Sequence, residues 1–162
     1  MRVHIDISEK FEHNKTIGIA WTTEDKKLHK GTALSGRLVK KLKSKYGVSE
    51  DYEKLYAILV YLILKNDIGK TKEIVICNDY KFSRVKVHLS RLFSSEINYD
   101  YIDVMSIREY RNYRGDYFES FADSLAKLYR KKGLRQFKKN VGKKLNFVDV
   151  KYKEIIDLWK LI

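Results

Sequence analysis

The first 34 residues constrain the fold most strongly, because apolar side chains occupy every second position in two segments and a third strand-length segment follows them. Residues 3–8 alternate between apolar and polar side chains, and residues 16–22 repeat that alternation with Ile17, Ile19 and Trp21 on one side. Residues 28–34 can form a third strand. A period of two is typical of a β-strand that turns one face to a core. The charged residues 24–27 between the second and third segments indicate a hairpin loop. The N-terminal part of the chain is therefore predicted to be an antiparallel meander of three strands.

Beyond residue 50 the pattern changes to helices that alternate with short apolar strands. Ser49 and Asp51 are the candidate N-caps of the first of these helices. Strands that alternate with helices imply parallel crossover connections. The predicted elements are helices at residues 51–65, 82–93 and 118–131, and strands at residues 74–77 and 99–107.

Two further segments complete the predicted organisation. Residues 37–45 hold five basic side chains and are interpreted as a polar link or a short helix. Residues 151–162 place apolar side chains on one helical face, which predicts a helix that docks on the domain and offers a surface for a homodimer. We expect one domain over residues 1–131 and a basic C-terminal extension over residues 132–162 that packs on it.

The formal net charge is +13, from 34 Lys and Arg residues against 21 Asp and Glu residues. Such an excess attracts polyanions, and nucleic acid is the favoured partner. An anionic membrane surface is the weaker alternative, and a charge that serves only solubility is the third. The longest apolar run, residues 55–64, is too short to span a bilayer. Cys77 is the only cysteine, which excludes an intramolecular disulfide and a zinc site with several Cys ligands. We expect a cytoplasmic protein without a membrane partner.

Four acidic residues are candidate site residues because of their places on the predicted elements. Glu53 aligns with apolar residues of its helix, where a solvent-facing carboxylate is not expected. Carboxylates that converge reduce the cost of their burial by binding a hard cation. Two such ions, about 4 Å apart, activate a water and stabilise the leaving oxygen in phosphodiester cleavage. The four are Asp6 in the first strand, Glu53 in the helix at residues 51–65, Asp79 after the fourth strand, and Asp123 in the helix at residues 118–131.

Each acid also has an ordinary structural interpretation. Asp6 could be a residue on a polar strand face, and Glu53 could lie in an exposed first helical turn that the helix dipole favours. Asp79 could be the N-cap of the next helix. Asp123 could form an ion pair with Lys127 at the i+4 position. The functional hypothesis therefore depends on all four acids in their order along the chain.

This order of elements and acids resembles the ribonuclease H superfamily. The matching stretches are residues 3–8, 52–59, 74–80 and 121–126, and the last is similar to the family's Asp-x-Leu-Ala pattern. The resemblance covers about residues 1–131. It implies an α/β fold of ribonuclease H-like type, with a mixed five-stranded sheet flanked by helices. The chain departs from the family at Ile7, where glycine is usual, and at residues 105–122, which contain no histidine.

The resemblance also implies an activity. Asp6 and Asp79 would be central ligands, Glu53 would share an ion, and Asp123 would complete the second of two Mg²⁺ or Mn²⁺ sites. The expected function is a metal-dependent endonuclease that cuts the RNA strand of RNA–DNA hybrids. A structure-selective DNA nuclease similar to Holliday-junction resolvases is the alternative enzyme. A non-catalytic nucleic-acid-binding module of the same fold is the third hypothesis.

Basic residues near the predicted site are the expected contacts to nucleic acid. Residues 124–148 hold nine basic side chains and no acidic ones. Neutralising four phosphates there would give a salt slope of about −3 to −4 on duplex DNA. A solvated charged tail is the alternative interpretation. The predicted contacts are Lys81, Arg84, Arg108, Arg111, Arg114, Arg130, Lys131, Lys132, Arg135, Lys138 and Lys139.

Overall fold

The computed structural model describes residues 1–77, 79–94, 102–114, 121–133 and 145–162, and the side chains of residues 112–114 lie outside that description. Five strands form one mixed sheet in the order β3-β2-β1-β4-β5. The strands are β1 (Arg2–Ser8), β2 (Ile17–Thr23), β3 (His29–Leu34), β4 (Glu73–Ile76) and β5 (Asp103–Ser106). β1, β2 and β3 pair antiparallel, whereas β4 is parallel to both β1 and β5. The predicted mixed five-stranded sheet of α/β class is thus confirmed.

Helices cover both faces of the sheet. They are α1 (Gly36–Tyr46), α2 (Tyr52–Leu64), α3 (Phe82–Phe93), α4 (Ile107–Arg114), α5 (Phe121–Gly133) and α6 (Tyr152–Leu161). Val3, Ile5 and Ile7 of β1 face the main core, to which α1, α2, α3 and α6 contribute. Ala20 of β2 packs on α5 and Val75 of β4 packs on α4, on the opposite face. The alternation along β1 therefore separates the main core from the face that carries Asp6.

Helix α2 is the centre of the core. Every residue from 55 to 64 is buried, because α2 packs on the sheet and is also covered by α3 and α6. Asp51 is its N-cap and accepts a hydrogen bond from the backbone N of Lys54 at 3.1 Å, as predicted. The indole of Trp21 donates to the carbonyl oxygen of Ile63 at 2.7 Å, which fixes the end of α2 on β2.

Helix α5 crosses β1, β2 and β3 on the other face at very short range. A Cβ placed on Gly18 would overlap the carbonyl oxygen of Ala126 and lie 2.6 Å from the backbone N of Arg130. Only glycine permits this approach of a helix backbone to a strand. The glycine thereby sets the height of α5 above the sheet and, with it, the position of Asp123 above β1.

Two elements differ from the prediction. The basic segment after β3 is a full helix of 11 residues, α1, which Ser35 caps by accepting from Leu38 N at 3.1 Å. Ile107 begins helix α4, which the sequence did not predict, and does not end a strand. The expected strand at residues 99–101 and the expected helix start at residues 118–120 lie outside the described residues.

The described part of the C-terminal segment lies on the sheet and on α2. The backbone N of Gly31 in β3 donates to Asn146 O at 3.1 Å, and Val148 N donates back to Gly31 O at 2.8 Å. Ile155 and Ile156 of α6 are buried in the main core. Tyr152 and Trp159 on the same helix, and Ile162 at its end, are only partly buried, and a homodimer through this helix stays a prediction. Each helix in the described ranges is too short or too polar to cross a membrane.

Candidate functional site

Asp6 and Asp79 lie where the chain changes direction across the sheet. From β1 the chain continues to β2 and β3 on one side, whereas β4 and β5 lie on the other side. Ligands of open α/β sheets bind at such a switch point, outside the carboxyl ends of the strands. Cys77 follows β4 directly and its backbone N donates to Ile5 O at 3.2 Å, so Cys77 lies beside Asp6.

Three side chains converge at this point and are called the β1–β4 cluster: Asp6, Cys77 and Asp79. One potential ligand atom from each lies within 4.8 Å of the other two. Asp6 is half-buried and Asp79 is exposed. Burial, together with the negative charges of Asp79 and Asp123, raises the pKa of Asp6 to about 7. Hydrogen bonds to Asp6 from Cys77 and from Ile7 N, the latter at 2.8 Å, oppose that rise.

The thiol of Cys77 is held neutral by its surroundings. Burial and the neighbouring charges of Asp6 and Asp79 raise the pKa of Cys77 well above its usual value. The hydroxyl of Tyr56, which is fully buried on α2, lies 3.2 Å from Cys77 Sγ, and burial likewise raises the pKa of Tyr56. The two carboxyl groups are therefore the oxygen ligands that the cluster offers to a cation. Both fit the oxygen ligands that Mg²⁺ and Mn²⁺ prefer.

Tyr80 holds the segment after β4 in place. Its hydroxyl accepts a hydrogen bond from Phe11 N at 2.9 Å and donates one to Glu12 at 3.2 Å. Its ring stacks on Phe11 with centroids 5.2 Å apart and lies 5.7 Å from the ring of Tyr56. These contacts tie the segment that carries Asp79 to the loop that follows β1, and β1 is the strand that carries Asp6.

Asp123 acts on the cluster through its charge, whereas Glu53 is not part of the cluster. Asp123 lies in the first turn of α5, where its charge raises the pKa of Asp6. It also pairs with Lys127 at 3.1 Å, the contact that its alternative interpretation expected. Glu53 lies half-buried in the first turn of α2 and is not a member of the close group formed by described residues. The structure thus brings Asp6 and Asp79 together, with Asp123 near enough to act electrostatically.

In the described part of the chain, the basic residues predicted to contact nucleic acid are spread over the start of α3, α4 and α5. Lys81 is exposed two residues after Asp79, whereas Arg84 pairs with Asp51 at 2.9 Å. Arg130 donates to Thr16 O at 2.9 Å. Arg108 and Arg111 lie on α4, Lys131 and Lys132 lie in the last turn of α5, and Arg135, Lys138, Lys139 and the side chain of Arg114 lie outside the described residues.

A second polar network, at the opposite end of β1, was not predicted. Glu24 accepts from Arg2 at 2.8 Å, from the hydroxyl of Tyr110, and lies 3.3 Å from His4 Nε2. Burial would raise the pKa of Glu24, but the hydrogen bonds from Tyr110 and Arg2 outweigh it and hold that pKa at about 2. This network anchors α4 to the sheet, and His4, which is 1% exposed, is a structural residue.

Comparison with protein-family models, with curated proteins and with solved structures finds no match for this chain. Function is therefore inferred from the β1–β4 cluster and from the basic residues of the chain.

Proposed function

We propose that the protein is a divalent-metal-dependent nuclease that hydrolyses phosphodiester bonds at the β1–β4 cluster. The observation that carries this proposal is the convergence of Asp6 in β1 with Asp79 after the end of β4, within the field of Asp123. Carboxylates so close together repel one another, and the half-buried one is disfavoured as an anion. A bound cation removes both penalties.

Asp6 and Asp79 have different roles in the proposed site because they differ in exposure to solvent. Asp6, oriented by the N–H of Ile7, is a fixed ligand inside the site. Asp79 is exposed and held by its neighbour Tyr80, so it faces the side from which a phosphate approaches. The cation supplies a Lewis acid for the scissile phosphate and lowers the pKa of a bound water. Asp123 adds negative charge that strengthens cation binding.

The basic surface supports nucleic acid as the substrate. Lys81 lies beside Asp79, and Arg108 and Arg111 lie on the helix that packs on β4. Contacts from such residues to phosphates give affinity without base specificity. The resemblance to the ribonuclease H superfamily favours the RNA strand of an RNA–DNA hybrid as the bond that is cut. A structure-selective DNA nuclease is the alternative substrate assignment.

A specific observation favours a second function, a non-catalytic nucleic-acid-binding module. Glu53 stands outside the close group of the described residues, and Asp123 is paired with Lys127. A site with only two converging carboxylates holds one cation more readily than two. In this second function the chain binds nucleic acid and cuts nothing.

The test is a cleavage assay with labelled RNA–DNA hybrid, duplex DNA, single-stranded RNA and a four-way junction, each in Mg²⁺, Mn²⁺ or EDTA. We expect metal-dependent cleavage of the hybrid that falls roughly 10²- to 10³-fold in Asp79→Asn, because losing a metal ligand removes about 3–4 kcal/mol of transition-state stabilisation. Asp157→Asn is the matched control, since Asp157 is exposed on α6 and outside the cluster. Its cleavage rate should equal that of the wild type.

The results with the other substrates discriminate among the hypotheses. Cleavage confined to the four-way junction would assign the DNA substrate. Salt-sensitive binding without cleavage of any substrate would reject the nuclease and leave the binding module.

A further inference from the structure

A groove of about 650 Å³ lies between the start of α1, the loop that joins β1 to β2, and the C-terminal end of α5. It is called the α1–α5 groove. Five cationic side chains line it: Lys15, Arg37, Lys40, Arg130 and Lys131. The remaining lining residues, Asn14, Thr16 and Gly36, are uncharged. Three segments that are distant in the sequence thus contribute to one basic surface.

The charges of the groove are poorly compensated within the chain. Arg130 has a structural role, since it donates to Thr16 O and pairs with Glu9 at 3.3 Å. Among the described residues, no carboxylate lies within ion-pair distance of Lys15, Arg37, Lys40 or Lys131. All four of these side chains are exposed. Like charges held together oppose folding, so their convergence indicates a polyanionic partner.

We propose that the α1–α5 groove binds backbone phosphates of the nucleic acid that is cut at the β1–β4 cluster. The proposal rests on the proposed function and adds a second contact region to it. Arg37 and Lys40 are three residues apart and share one face of α1, opposite the end of α5. The spread of the cations over three segments fits a chain of phosphates better than a single small anion.

The spacing between the two regions fits one nucleic-acid molecule. Asp123 lies in the first turn of α5 and Arg130 lies seven residues later, which is about 10 Å along the helix axis. A duplex presents roughly six phosphate charges over that length. The groove therefore contacts phosphates a few nucleotides away from the bond that is cut. Substrates too short to reach the groove lose these contacts.

The test compares two triple variants with the same change in net charge. The groove variant is Arg37→Gln, Lys40→Gln and Lys131→Gln, which leaves the structural Arg130 in place. The control variant is Lys27→Gln, Lys72→Gln and Lys153→Gln, at exposed positions outside the groove. Binding of the full-length chain to a fluorescent hybrid of two helical turns is measured in EDTA over a series of salt concentrations.

We expect the groove variant to bind roughly tenfold to hundredfold more weakly, with a salt slope smaller by about 2–3 because three phosphate contacts are lost. The affinity of the control variant for the hybrid should fall by less than about threefold, and its salt slope should change by less than about one. Equal losses in the two variants would overturn the proposal. If the groove variant fails to fold, Lys40→Gln alone should still reduce the slope by about one, and an unchanged slope would overturn the proposal equally.

The outcome separates this proposal from the nuclease itself. If the groove substitutions weaken binding but no substrate is cleaved, the nuclease activity is rejected and the binding of phosphates by the groove is supported. Suppose that cleavage requires Asp79 and that the groove substitutions leave the affinity for the hybrid unchanged. That result would reject only the proposal that the groove binds phosphates. Groove-dependent binding to phosphatidylserine vesicles, with no binding to the hybrid, would also overturn the proposal.

Discussion

Replacing Asp6 by asparagine is expected to stabilise the metal-free protein and at the same time to abolish metal binding. Burial and the charges of Asp79 and Asp123 raise the pKa of Asp6 from its usual 3.8 to about 7. The ionised carboxylate is therefore disfavoured in the folded state. Above pH 7, Asp6→Asn should raise the free energy of unfolding by about 2 kcal/mol. The full shift corresponds to about 4 kcal/mol, but water still reaches the half-buried carboxylate and reduces the penalty.

The contribution of Asp6 to the free energy of unfolding is expected to decrease as the pH rises. Because the folded pKa of Asp6 lies above its unfolded value, the stability contributed by this group is present below about pH 4. That contribution is lost as the pH rises through about 7. Denaturant unfolding in EDTA across this range should show the loss in the wild type and not in Asp6→Asn.

Asp123→Asn is the control, because Asp123 is partly exposed and paired with Lys127. We expect a stability change within about 0.5 kcal/mol. In Mn²⁺ the wild type should have the higher free energy of unfolding, whereas in EDTA Asp6→Asn should have it. Only the wild type gains stability from the bound ion. A loss of stability in Asp6→Asn at pH 8 in EDTA would contradict this view of Asp6 as a functional residue that costs stability.

Replacing Gly18 by alanine is expected to destabilise the protein by about 3 kcal/mol or more. The added Cβ would meet backbone atoms of α5, the carbonyl oxygen of Ala126 and the nitrogen of Arg130, and neither can rotate away. Overpacking in a dense core costs about 1–3 kcal/mol, and more where backbone must move. Helix α5 must then lift from β2, which displaces both Asp123 at its start and Arg130 near its end.

Gly69→Ala is the matched control, because a Cβ at Gly69 has no atom within 4 Å. We expect its free energy of unfolding to change by less than about 0.5 kcal/mol. Urea unfolding measures both variants. Stability of Gly18→Ala within about 1 kcal/mol of the wild type would show that α5 is not held against the sheet at this point.

The fold was predictable to the extent that apolar residues recur regularly. The alternation in residues 3–8 and 16–22 predicted β1 and β2, and residues 28–34 form β3 as expected. β2 is nevertheless buried at every position, because α5 covers the face opposite the main core. Helix α2 was predicted from helical spacing, although its burial on all sides depends on α3 and α6. Helices α1 and α4 carry weaker signals, since each buries only two described side chains.

The candidate site was partly predictable for a similar reason. Asp79 follows a buried strand, where functional groups collect in open α/β sheets, and its convergence with Asp6 was expected from the order of the four acids along the chain. Cys77 and Tyr56 were overlooked because their apolar neighbours indicated an ordinary core. Their part in the site depends on a contact between α2 and the end of β4.

Contacts between segments distant in the sequence have no local signal. Glu24 was interpreted as a hairpin-loop residue, yet it binds Tyr110, 86 positions away. The α1–α5 groove likewise combines Lys15, Arg37 and Lys131 from three separate segments. Neither periodicity nor spacing along the chain predicts such groupings.

The most direct test of the central claim is the location of Mn²⁺ in a crystal of the protein, determined from the anomalous scattering of the ion. The account predicts a peak bound by carboxylate oxygens of Asp6 and Asp79, at roughly 2.0–2.3 Å from each. Asp79→Asn crystals soaked in the same way should lack the peak. A wild-type crystal saturated with Mn²⁺ that shows no ion between Asp6 and Asp79 would contradict the account.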